Sequence, residues 1–566
     1  MRFASGATLV ERLRVALTEA TPIFAVVALT FIELVHVSSS DWASVFLYNG
    51  DSIVLPLLNQ SISRGEPFEW VFSTQAFLFP EYPLFWLCSV ITGSVRGALI
   101  LNSFVNVLLL YGILRLIAGF VGPRHRIRQV VFAALGVVVV LANAMTERSA
   151  DLEAPGVVAP KSIATLFLLT TYYYGVIVVT LTVVLLTLWL TRAFTTPASR
   201  RRTLVYVVVV VVIGALTMYS NPLYLLQAAL PLSLVFVTLG VARRLSIVQI
   251  VTLVAAQAVA VAVGSGLRVV FAEFLVTDFR SYFGPSRILA SLGVLRRVLV
   301  DRLSSPAEAA ALLVISGIVI ASVVFLVTAA VDGAGRRSRK SQSAPATITL
   351  FITLFIVIST MSLLVGQIAT GQLLTRYLIP LFVFPSLGVV LLASNDWLGA
   401  RMAPLAGRRT STLVLTAVVA LAASGLGIAM SAGSVQGLVA QRYAPALCLE
   451  RWAGNRVIDG VAPFMTARPI MLYGHQKGRV LQVVDSVVVQ SWMNNLALYR
   501  DREFTFVLVT DRELAKKTIA TLGRPASMSE CPGFAIYDYA GTPGEKTLND
   551  WISGTLQNAV LSRNGR

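Results

Sequence analysis

The chain has 566 residues, room for about three or four soluble domains, yet 56% of it is hydrophobic and only 13% is charged. Soluble domains are about one-quarter charged, so this composition, with a mean hydropathy of +0.76, excludes a purely soluble, a disordered or a fibrous protein. The net charge of +18 has a ready cause in a membrane protein, whose cytoplasmic loops collect arginine and lysine; no basic stripe with interleaved aromatics appears, so nucleic acid is not an expected partner.

In chain order, about 20 apolar residues are needed to cross the hydrocarbon core. Eleven runs qualify, near 20–38, 97–120, 129–145, 171–191, 204–220, 223–241, 247–266, 309–331, 346–366, 378–394 and 412–432. The first lacks a small-residue cleavage site and reads as an uncleaved anchor. The stretch 83–95 is apolar but short, and is expected to be re-entrant or interfacial. The fold expected is a polytopic α-helical membrane domain of about 11 transmembrane helices over 1–432, followed by a small extracytoplasmic α/β domain over 433–566.

Arginine asymmetry sets the orientation. The N-terminus and alternate loops carry 19 positive charges, among them Arg124, Arg126, Arg128, Arg200, Arg201, Arg202, Arg336 and Arg337, against eleven on the other side. The first side is therefore expected to be cytoplasmic, and an odd number of spans sends the C-terminal domain outside. Only 6 of the 46 basic residues are lysine, a weak sign of a GC-rich bacterial source and hence of a plasma membrane. Cys448 and Cys531 share the polar C-terminal part, where an oxidising compartment lets them pair.

The outer loops carry the chemistry. The first, about 39–82, has five acids (Asp41, Asp51, Glu66, Glu69 and Glu81) and one base, Arg64; long loops of this kind are usually functional. Asp51 is the leading candidate, with Gly50 before it to permit a tight turn; the competing reading is an N-cap for a helix starting near Ser52. In the second loop Asp151 and Glu153 form an acid-x-acid pair that could bind a divalent cation together with Asp51 or orient a hydroxyl. No cofactor is otherwise implied, and no His or Cys joins them. The loop 267–308 breaks the charge rule with Arg268, Arg280, Arg287, Arg296, Arg297 and Arg302. Such a patch suits a lipid-linked phosphate or the attraction of anionic headgroups. Arg376 and Tyr377 precede a late span that carries Pro380. Glu33 and His36 share one face of the first helix, without an assigned role. There is no GxxxxGK[ST], HExxH or GxSxG motif, so nucleotide hydrolysis is not expected.

The C-terminal part has strand-like runs at 468–473, 479–484, 504–509 and 534–539, with helical stretches near 486–499 and 511–521. Trp452, Trp492 and Trp551 could stack on sugars or pack in its core.

Together these features resemble the C-type (GT-C) glycosyltransferases, which use polyprenyl-phosphate sugars. The resemblance covers the membrane domain of about 430 residues and, loosely, the outer domain. It implies that Asp51 is the catalytic base, that Asp151 or Glu153 forms the second acidic site, and that Arg376-Tyr377 leads into the late span. It implies a lipid-linked sugar donor, whose phosphate Arg280, Arg287, Arg376 and Tyr377 would bind, and a glycan, lipid or protein acceptor. The second acidic site departs from the common acid-then-His or paired-acid patterns, which leaves metal and acceptor open. The rival reading is a transporter or flippase of lipid-linked sugars, expected to line its spans with polar residues.

Overall fold

The computed structural model describes residues 9–122, 126–147, 163–194, 200–276, 284–335, 344–371, 374–393, 408–431, 442–475, 478–485 and 487–564. The apolar runs form helices: α1 (Leu9–Ser38), α5 (Val95–Val121), α6 (Arg126–Thr146), α7 (Tyr174–Phe194), α8 (Arg200–Ser220), α9 (Leu230–Val241), α10 (Ile247–Val270), α12 (Pro306–Gly335), α13 (Ala344–Ala369) and α16 (Arg408–Ser431). Eight helices among the described residues are long and apolar enough to cross a membrane, and three shorter apolar helices lie at Tyr174–Leu190, Leu225–Val241 and Thr375–Leu391. The last is broken into short pieces, including α14 (Pro380–Val383) and α15 (Ser386–Leu391). The apolar stretch of α6 is 67% buried and that of α12 only 11%, so α6 is central and α12 peripheral.

Local chemistry closes the helix ends. Ser94 accepts the amide of Gly97 at the start of α5, and Ser246 with Gln249 forms a capping box on α10. Buried polar side chains of α5 satisfy irregular backbone nearby, as membrane interiors demand. Ser103 Oγ donates to the Leu168 carbonyl at 2.8 Å, and Asn106 Nδ2 to that of Phe167 at 3.1 Å. The short apolar stretch becomes α4 (Glu81–Thr92), 12 residues long. At 1.5 Å per residue that is about 18 Å, too short to cross.

The C-terminal region holds a six-stranded sheet: β2 (Asp459–Pro463), β3 (Val480–Val484), β4 (Val488–Val489), β6 (Phe504–Val509), β7 (Ser527–Cys531) and β8 (Phe534–Asp538), in the order β4-β3-β2-β6-β8-β7. The strand β2 runs parallel to β3 and β6; the other pairs are antiparallel. Two expectations are corrected. Residues 468–473 belong to a helix, α18 (Phe464–Tyr473), because the parallel pair β2–β3 needs a crossover between its strands. The described residues of 486–499 do not form the expected α-helix: they give β4, β5 (Asn494–Asn495) and a 3-10 turn at Leu496–Tyr499. Asp485, just before that stretch, and Met493 within it adopt φ of 47° and 49°, which a right-handed helix forbids. The remaining helices are α17 (Ala444–Ala453), α19 (Arg512–Leu522) and α20 (Pro543–Asn564). Cys448 on α17 and Cys531 on β7 form a disulfide, and Cys88 is free and buried.

This sheet region is packed against the loop that follows α1. In that loop lie α2 (Trp42–Tyr48), α3 (Val54–Ser63) and β1 (Trp70–Val71). The strand β1 pairs antiparallel with β5. Two of the loop's acids find arginines in the C-terminal region: Glu66 meets Arg479 at 2.7 Å and Glu69 meets Arg500 at 2.8 Å.

Candidate functional site

The site grows from the short link between α2 and α3. The helix α2 is seated by Trp42, whose indole N–H donates to the Glu147 carbonyl at 2.8 Å. It ends at Asn49, which is extended. Asn49 Oδ1 accepts the Asp51 amide at 2.8 Å. Thr171 Oγ1 donates to the Asp51 carbonyl at 2.8 Å, and Thr170 Oγ1 to that of Ser52 at 2.7 Å. The Gly50 carbonyl accepts Arg468 Nη1 at 2.9 Å. The backbone is thus held on both sides while the carboxylate is left facing a cleft.

Two details differ from the sequence reading. Asp51 does not cap a helix: α3 starts at Val54, with Ile53 at its cap position. Gly50 does not have a positive φ. It is needed for close approach, since a Cβ there would stand 2.5 Å from a ring carbon of Phe464.

The cleft is lined by Asp51, Ser73, Gln75, Phe77, Thr171, Tyr172, Tyr173, Arg376, Trp492 and Met493, and its volume is about 60 Å³. That admits on the order of four waters, enough for reacting groups but not for a whole substrate. Arg376 Nη1 lies 3.7 Å from Asp51 Oδ2, and both side chains are about one-quarter exposed (24% and 25%). Arg376 comes from the 3-10 turn Thr375–Leu378. Its guanidinium sits 5.7 Å from the Tyr377 ring centroid, and the Tyr377 and Tyr173 rings are 5.2 Å apart. The site therefore sets an anionic oxygen acceptor of protons beside a planar cation, between aromatic walls. This can deprotonate a hydroxyl and hold an oxyanion.

Arg468 closes the back of the site. It is 2% exposed, stacks over Phe464 at 4.6 Å and also donates to the Met493 carbonyl. Burial pushes its pKa down to about 10, while the nearby Asp51 carboxylate pulls the other way. It remains a cation at neutral pH.

The other predicted residues are not all gathered here. Asp151, Glu153 and Arg280 lie outside the described residues. Tyr377 is buried behind Arg376. Arg287 is exposed at the start of α11 (Ile288–Ser304) and does not line the cleft. The expected single arginine patch is corrected. Arg268 is buried, donating to the carbonyls of Tyr219 at 2.7 Å and Thr74 at 3.0 Å. Arg302 is buried in an ion pair with Glu147. Arg296 and Arg297 are exposed. Six helix positions separate Arg296 from Arg302, a rotation of about 240°, so the helix itself divides them. Among the described residues no three His, Cys, Asp or Glu side chains cluster to hold a metal.

Sequence reasoning missed Ser73, Gln75, Arg468 and the 170–174 segment. The run Thr170-Thr171-Tyr172-Tyr173-Tyr174 was an available signal, since five hydroxyls at the mouth of an apolar span want partners. Arg468 was concealed in what read as a strand. Of the three tryptophans considered, Trp492 lines the cleft, Trp452 packs on Phe506, and Trp551 is exposed on α20. Glu33 is fully buried and neither of its carboxyl oxygens has a hydrogen-bond partner, and buried His36 Nε2 has none either. No protein-family model matches the chain, and no curated protein sequence matches it.

Proposed function

We propose that the protein is a membrane glycosyltransferase that moves a sugar from a polyprenyl-phosphate donor to an acceptor hydroxyl on a glycan, lipid or protein. The observation that carries the reading is the Asp51–Arg376 pair at 3.7 Å within one cleft. Its members come from separate parts of the chain, the first loop and the turn before the last broken span.

In this reading the Asp51 carboxylate accepts the hydroxyl proton as the acceptor oxygen bonds to the anomeric carbon. The bond from that carbon to the phosphate oxygen breaks, and the electron pair leaves with the polyprenyl phosphate. Arg376 meets the charge that develops there. A single displacement inverts the anomeric configuration. A carboxylate is a weak base, so proton transfer comes late and contributes about 10²–10⁴-fold; positioning supplies more. Tyr172, Tyr173 and Phe77 suit the lipid side of the cleft, and Ser73, Gln75 and Trp492 the hydroxyl-rich acceptor.

The topology that fits has eleven spans, a cytoplasmic N-terminus and an extracytoplasmic C-terminal domain at a plasma membrane. The disulfide agrees with that placement. A donor carried by lipid needs only lateral diffusion to reach a cleft at the membrane surface.

The test is mass spectrometry of envelope glycans and polyprenyl-phosphate sugars in a deletion strain, complemented with wild type or Asp51→Asn. Truncated glycan with accumulated donor, rescued by wild type and not by Asp51→Asn, is the expected result. Full rescue by Asp51→Asn overturns the mechanism. Donor trapped on the cytoplasmic face identifies a flippase instead.

A further inference from the structure

The helix α11 is 17 residues long, about 25 Å, and lies outside the cleft. Its two ends are tied to the ends of spanning helices. At its start the Gly284 amide donates to the Thr370 carbonyl, one residue past α13. At its end Arg302 pairs with Glu147, one residue past α6, and Pro306 opens α12. A helix strung between span ends lies along the membrane face.

Its rotation is fixed. Ser291, Val298 and Arg302 are buried on the inner face. On the opposite face Leu289, Leu292, Leu299, Val300 and Leu303 are 80%, 43%, 42%, 56% and 58% exposed. At 100° per residue these five fall in an arc of about 100°, with Arg296 inside it and Arg297 at its flank. A leucine stripe facing water is unfavourable, and a guanidinium in its midst excludes a dry protein partner. A lipid interface satisfies both, because the apolar stems sink toward acyl chains while arginine reaches up to headgroups.

We propose that α11 is an in-plane membrane-interface helix that binds anionic phospholipid, with acyl chains on the leucine stripe and the headgroup phosphate on Arg296 and Arg297. The charge complementarity is direct. The site is independent of the transferase reading.

The probe is phosphatidylglycerol against phosphatidylcholine. The detergent-purified full chain is titrated with each, and retained lipid is counted by native mass spectrometry. Wild type should retain several-fold more phosphatidylglycerol, and the double variant Arg296→Gln/Arg297→Gln should lose most of that preference. In parallel, Leu299→Cys carrying an environment-sensitive fluorophore is placed in vesicles of phosphatidylcholine and phosphatidylglycerol at 7:3. Quenching by brominated lipid supports the proposal. Quenching by aqueous iodide alone, or disulfide cross-linking of Leu299→Cys between two copies, overturns it. Unchanged lipid preference in the double variant overturns the headgroup assignment even where the label is lipid-quenched. An intact Cys448–Cys531 disulfide and a monodisperse elution profile check that each variant is folded.

Discussion

Asp51 stood out in the sequence because it was a carboxylate after glycine in an acidic loop, and the structure puts it in a cleft facing Arg376. What Gly50 does was not legible, since close approach by Phe464 depends on a residue more than 400 positions away. Gly50→Val should therefore push the C-terminal region off the first loop. Limited proteolysis should show faster cleavage within 64–72, and wild-type protection in the variant would refute the steric account. Glu81 belongs to the same loop and was read only as one of its acids. It is fully buried against Gly175, and burial pushes its carboxyl up to about 8 from an ordinary 4.5. Between those values the folded chain keeps a proton that the unfolded chain has lost. Stability is then full below about pH 4.5 and falls as pH rises toward 8, by up to about 1.4 kcal/mol per unit. Thermal melts of the purified protein from pH 5.5 to 8.5 should fall less steeply for Glu81→Gln than for wild type. Parallel slopes would show that Glu81 is not the titrating group.

At the scale of elements, apolar runs of 20 residues were legible because hydrocarbon imposes length and composition together. The C-terminal strands at 479–484, 504–509 and 534–539 were legible as short runs rich in β-branched and aromatic residues. The run 468–473 was not, because its β-like residues serve a crossover that only the strand order demands. The stretch 486–499 was not either, because left-handed Asp485 and Met493 and a bonded Asn495 override its helical pattern. Asn495 also shows how the two parts of the protein lock. It is 1% exposed. Its Nδ2 donates to the Pro67 carbonyl at 3.0 Å and to Ser61 Oγ at 3.2 Å, while Oδ1 accepts the Glu69 amide at 3.1 Å. Asn495→Ala leaves these groups without their partner, a loss of about 1–3 kcal/mol for each buried group left unsatisfied. Hydrogen exchange at Glu69–Phe72 should quicken at least tenfold, while exchange in β6 stays unchanged. Equal acceleration in both would mean that the whole sheet, rather than the β1–β5 contact, had loosened.

For the whole molecule, parity constrains the proposed topology. The loop after α1 and the C-terminal region touch through β1–β5, Glu66–Arg479 and Glu69–Arg500, so they share one membrane face. An even number of crossings must therefore separate them. Among the described residues, seven of the eight long apolar helices and the three shorter ones lie between them. Seven crossings would put the partners on opposite faces; ten put them on the same one. Adding α4 would make eleven and break the match, which agrees with its 12 residues. In the proposed topology that shared face is the outer one, as the charge asymmetry leads one to expect. Single cysteines in a Cys88→Ser background should report this directly: Asp41→Cys in the first loop and Thr547→Cys on α20 should react with an impermeant maleimide applied to intact cells, and Arg200→Cys should react only after permeabilisation. Labelling of Asp41→Cys and Thr547→Cys from opposite sides would break the parity argument, and with it the common face that a cleft built from the first loop and Trp492 requires.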